Sequence, residues 1–179
     1  GAAGTFVIRQ PIAPAQLRAE VARRLPFDAE IMICQGRDVI GMMSQDRFAD
    51  HPPRPDIVRF VSILARAPGS APPTPIALPA SGRWLLKVLA RENRFVFGLY
   101  RRHMKAIGYL GTLDRLFGVP VTTRNWNTIA AIAKALGSNN HSGPRFPAPG
   151  RERKSHTDAG GPCRGPPGGK RQGLVCLVE

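Results

Sequence analysis

The chain has 179 residues, 42% of them hydrophobic, and 26 Lys+Arg against 12 Asp+Glu give a formal charge of +14. That apolar share supports a packed core and makes wholesale disorder an unexpected outcome; no run nears the roughly 18 apolar residues of a membrane span, and no signal peptide is expected. Three cysteines, Cys34, Cys163 and Cys176, are too few and too scattered for a disulfide framework or a zinc site, so a reducing, cytoplasmic setting with no membrane partner is expected.

Near the N-terminus, "GTFVIR" (4–9) has the β-branched and aromatic content of a strand. Pro14 then opens "PAQLRAEVARRL", in which Leu17, Val21, Arg24 and Leu25 trace a helical stripe with Arg18 and Arg23 outward. "DAEIMIC" (28–34) reads as a second strand, alternating Ala29, Ile31 and Ile33 with Glu30 and Met32. "GRDVIGMMSQD" (36–46) reads as a helix with Val39, Met42 and Met43 inward. "HPPRPD" (51–56) forces extended backbone and separates two units, residues 1–52 and 56–136.

"IVRFVSILAR" (57–66) is a strand, and the Pro-rich "APGSAPPTPIALPASG" (67–82) is expected to hold no regular structure. "RWLLKVLAR" and "RFVFGLY" flank Glu92-Asn93 as a hairpin, with Trp84, Leu86 and Val88 on one face and Arg83, Lys87 and Arg91 on the other. "RRHMKAIG" (101–108) is expected as a basic loop. "YLGTLDRLFG" (109–118) contains a short helix closed by Gly118. From about Arg124, Ile129, Ile132, Ala133 and Leu136 give the stripe of a last helix, stopped by Gly137.

Residues 137–179 hold 9 Gly and 6 Pro, and predict a disordered tail. Its 7 basic against 3 acidic residues leave 19 against 9 for residues 1–136, a surplus of +10. That surplus favours a polyanionic partner such as nucleic acid; the abundance of Ala, Arg, Gly and Pro equally fits GC-rich coding. Asn140-His141-Ser142 matches a glycosylation sequon that nothing else supports. The chain opens at Gly1 without Met, and its true beginning is expected to lie upstream.

Familiar catalytic signatures are missing: no phosphate-binding P-loop, no G-x-G-x-x-G after a strand, no H-E-x-x-H and no G-x-S-x-G. No catalytic residue, metal site or cofactor is assigned. His51 sits among prolines, His141 and His156 lie in the tail, and only His103 keeps interesting company. Asp28 with Glu30, and Asp114, form no close pair for acid–base work.

One constellation remains. Arg101, Arg102, His103 and Lys105 follow the hairpin, and Thr122, Thr123, Arg124 and Asn125 begin the last helix. Unpaired N–H groups at a helix start, with Arg124 and a threonine hydroxyl, make an anion cradle, and Lys105 would complete it. The competing account is structural: Thr123 or Asn125 caps the helix, Val121 and Trp126 pack inward, and Arg124 stays in water.

"GVPVTTRNWNTIAAIAKAL" (118–136), with its Thr-Thr-Arg-Asn-Trp-Asn-Thr run, resembles the C-terminal signature of an uncharacterised bacterial family, domain-of-unknown-function family 1697. The order of elements over 4–136 is similar to that family's middle and end. The resemblance implies an α+β fold of two small ferredoxin-like subdomains. The family's opening strand–helix–strand is absent, so the first subdomain would be incomplete and expose a sheet edge through which copies could pair. Only Lys105 stands where the family carries its loop lysine. The family fixes no activity.

Three functions follow. The leading one is a non-enzymatic module binding an anion, nucleic acid above all, through Arg101 and Arg102. The second is a phosphate or nucleotide site at Lys105, Thr123, Arg124 and Asn125, with catalysis open. The third is a protein-interaction scaffold using the exposed edge or Met42 and Met43.

Overall fold

The structure, a computed structural model, describes residues 4–137 and 173–178. It is α+β, with two sheets. Strand β1 (Gly4–Ile8) leads to helix α1 (Pro14–Arg24), β2 (Ile31–Gln35) and α2 (Gly36–Met42). Then come β3 (Ile57–Leu64), β4 (Ile76–Leu78), and the hairpin β5 (Leu86–Glu92) and β6 (Phe95–Arg101). Helices α3 (Met104–Leu110) and α4 (Leu113–Phe117) precede β7 (Val121–Asn125), α5 (Trp126–Gly137) and β8 (Leu174–Val178).

The larger sheet has strand order β4-β5-β6-β3-β7, antiparallel at every pairing. Alternation along β3 sorts its residues: Phe60 and Leu64 face one core, Val61 and Ile63 the other. Phe60, Leu86, Val88 and Val96 are covered by Leu113 and Phe117 of α4. Gly118, at φ 65°, ends α4 in the left-handed conformation that glycine takes without strain. Gly98 is fixed by space, because a Cβ there would lie 2.4 Å from the Phe60 ring.

The smaller sheet has order β1-β8-β2, and both outer strands run antiparallel to β8. All five residues of β8 are buried. One face, Ile31, Ile33, Leu174 and Cys176, packs against Leu17 of α1. The other, Met32, Cys34, Val175 and Leu177, shares a core with Val61 and Phe97 of the larger sheet and with α2 and α5. Residues on both sides of the 51–56 segment therefore meet in one core. Sandwiching between helix and core buries both faces of β2, which is why Met32 is as buried as Ile31 despite the expected alternation.

Several expectations change. The expected tail, 137–179, ends in a buried strand, because five consecutive apolar residues find a slot with partners on both sides; residues 138–172 lie outside the described residues, as do the sequon and His141, His156 and Cys163. The Pro-rich 67–82 segment contains β4, which is tolerated because it is an edge strand. "RRHMKAIG" is not all loop: His103 caps α3, its Nδ1 accepting from the Lys105 N–H. Thr122–Asn125 are a strand, not the start of the last helix, since β-branched Val121, Thr122 and Thr123 pair with Leu64, Ile63 and Ser62. Trp84 does not share a face with Leu86 and Val88; it packs on the opposite core, while a β-bulge between Val88 and Ala90 resets the alternation beyond. Met42 is buried as expected, whereas Met43 is 38% exposed because α2 ends at Met42.

Candidate anion-binding cleft

A cleft of about 590 Å³ opens where the 51–54 segment, β3, the end of β6 and the start of α5 converge. Arg54, Arg59, Lys87, Arg101 and Arg102 line it, with His51, Asp50 and Asn125. Both tryptophans of the chain, Trp84 and Trp126, form part of its wall. Five cations against two carboxylates, Asp50 in the lining and Asp56 at the rim, leave a positive surplus that a concave, partly apolar site concentrates.

The four arginines among them are held by specific contacts, Arg54 through its Nε to Asp56 at 3.2 Å. The Arg101 guanidinium lies 4.4 Å from the Trp84 ring centroid, donates from Nε to the Trp84 carbonyl at 3.0 Å, and pairs through Nη1 with Asp56 at 2.7 Å. Such a cation over an indole face is stabilised by the ring quadrupole, about 0.5–1 kcal/mol where solvent reaches it. Arg102, an exposed residue, donates from Nε to the Pro55 carbonyl at 3.0 Å. Arg59 lies 5.4 Å from the centroid of Phe48 and donates to the His51 carbonyl; its Nε is buried with no hydrogen-bond partner among the described residues. Phe48 is fully buried and meets Trp126 edge-on at 5.1 Å, so from behind the cleft wall it packs against both Arg59 and Trp126.

Asp56 organises the rim. Partial burial works to raise its pKa, but the charge of Arg54, hydrogen bonds from the backbone and from Arg54, and the charge of Arg101 together hold it below the ordinary carboxylate value. It stays ionised and fixes Arg101, whose side chain is only 16% exposed, against the tryptophan. At the head of α5, Asn125 Oδ1 accepts from the Thr128 N–H at 3.0 Å and caps the helix.

The expected anion cradle is not assembled as expected. Arg101, Arg102 and Asn125 meet in the cleft. Lys105 sits exposed in the first turn of α3, outside the cleft lining. Thr123 Oγ1 is engaged by Ser62 Oγ at 2.6 Å. Thr122 is buried and its hydroxyl accepts from Arg124 Nη1 at 2.8 Å. Arg124, expected in water, is 8% exposed. Its Nη2 donates to the Gly4 and Val178 carbonyls at 3.2 and 3.1 Å, its Nη1 to the Thr123 carbonyl, and its Nε to Thr5 Oγ1. It joins β7 to the smaller sheet, because successive strand residues face opposite sides and Arg124 shares the inward side with Thr122.

Sequence reasoning missed Arg54, Arg59 and the two tryptophans as one site. An arginine in the otherwise apolar β3 was the available signal. Among the described residues, no cluster of His, Cys, Asp and Glu is arranged to hold a metal ion, and no helix is long and apolar enough to cross a membrane. Comparison with protein-family models, curated proteins and solved structures finds no match.

Proposed function

We propose that this protein is a non-enzymatic module that binds phosphate-bearing ligands, single-stranded nucleic acid above all, in the cleft between Arg59, Arg101 and Arg102. The observation that supports this most is the placement of five basic side chains beside both tryptophans in one concavity. Phosphates would be neutralised by Arg102, Lys87 and Arg54, and unpaired bases have Trp126 and Trp84 within the same walls. Arginine suits this work because its planar fork can grip two phosphate oxygens at once.

A titration with a labelled single-stranded oligonucleotide tests the reading, followed by quenching of tryptophan fluorescence. Affinity should fall linearly in log–log form with salt, with a slope of about −0.7 per phosphate neutralised. No binding at low salt, or binding that leaves both indoles unquenched, would remove it.

A second reading is a mononucleotide or other small phosphorylated ligand. The cleft volume favours it, since about 300–1,000 Å³ is usual for small-molecule pockets. Mononucleotides competing as well as the oligonucleotide would select it. The proposal also keeps a cytoplasmic setting, supported by the free, buried thiols of Cys34 and Cys176. A ferredoxin-like topology for the two sheets is part of the same reading.

A further inference from the structure

We propose that the gap between β1 and β2 is a strand-acceptor site, able to take residues 173–178 from a second copy of this chain. β1 and β2 do not pair with each other; each pairs along five residues with β8 alone. Without an occupant, two strand edges would lack partners and Val7, Met32, Ile31 and Ile33 would lose the apolar neighbours between them. The sheet therefore requires a strand at its centre, and backbone pairing does not record which copy supplies it.

Both ends of the site are built for one register. At the entrance, Gly36 donates its N–H to the Gly173 carbonyl at 2.7 Å. A Cβ on Gly173 would lie 2.2 Å from the Ile8 carbonyl oxygen, and one on Gly36 would lie 2.5 Å from the Gly173 oxygen. Only glycine passes there. At the exit, Arg124 donates to the Val178 carbonyl at 3.1 Å. The occupant is thus a glycine followed by five apolar residues, antiparallel to both neighbours.

The 35 residues 138–172 join α5 to this strand, and a chain of that length spans at most roughly 115–125 Å. That reach covers an acceptor on the same chain or on another. Closed and exchanged forms contain the same strand pairs, so the balance between them is set by concentration against the effective concentration of the tethered strand.

Two full-chain variants separate donor from acceptor. Gly173→Val spoils the donated strand and keeps the acceptor; Gly36→Val spoils the acceptor and keeps the donor. Native mass spectrometry of an equal mixture should show a one-to-one heterodimer, enriched roughly tenfold over the homodimers of either variant alone. Should the variants fold poorly, a fluorescent peptide of residues 172–179 added to the unmodified chain gives the same readout by anisotropy. Its uptake, abolished by valine in place of its glycine, would support the site. Absence of both heterodimer and peptide uptake overturns it.

Discussion

Arg101 and Arg124 are the same residue type, each set on a strand of the larger sheet, and they have opposite fates. Arg124 points into the seam between the sheets and spends its guanidinium on backbone carbonyls and threonine hydroxyls. Arg101 lies at the mouth of a cleft, braced by Trp84 and Asp56 but in reach of solvent. Charge alone does not make a binding residue. What distinguishes the two is that the protein engages every nitrogen of Arg124, but only Nε and Nη1 of Arg101.

Substitutions put that contrast to the test. The largest effect is expected in the core behind the cleft: Phe48→Ala should cost about 3–5 kcal/mol in urea unfolding, and release Trp126 and Arg59 together. Arg124→Met should cost about 3 kcal/mol, because it leaves buried carbonyls without donors, while the folded fraction binds oligonucleotide as before. A binding defect with unchanged stability would reverse the roles given to the two arginines.

Arg101→Ala should do the opposite. Oligonucleotide affinity is expected to fall about tenfold and the salt slope to become shallower by about 0.7. Lys87→Ala should give a smaller loss of the same kind, since Lys is a point charge without the planar fork. The smallest effect concerns the core thiols. Burial raises the pKa of Cys34, against the opposing charge of Arg94, and burial likewise raises that of Cys176. Because the folded values lie above the unfolded ones, their contribution is full below the ordinary thiol value of 9.0 and is lost as pH rises past it. Unfolding measured on a Cys163→Ser background should therefore show stability declining on the alkaline side, and neither thiol should react before unfolding.

Much of the fold was legible because its signals are local. Pro14 before the Leu17–Val21–Leu25 stripe, and Gly118 after Phe117, announce their helices without help from elsewhere. The hairpin is read from two apolar runs closed around Asn93, which adopts a φ of 50°. Thr122–Asn125 misled for the same local reason: polar residues before a helical stripe look like a cap. Only Asn125 caps, and the others are a strand because β3 offers them an edge. The candidate site was half legible. Arg101 and Arg102 stand out as a pair, but Arg59 and Trp84 reach the same cleft from separate strands and loops, and no spacing in the sequence connects them.

By itself the sequence determined the α+β class, most of the elements and the positive charge that makes an anionic partner the leading reading. Those follow from periodicity, capping and composition, which act within a few residues. Tertiary structure decided the rest: that 174–178 closes the smaller sheet, that Arg124 is a clamp, and that the cleft arginines stand beside both tryptophans. Burial and hydrogen-bond satisfaction depend on what the far parts of the chain bring to a residue, and that is fixed only when the strands pair.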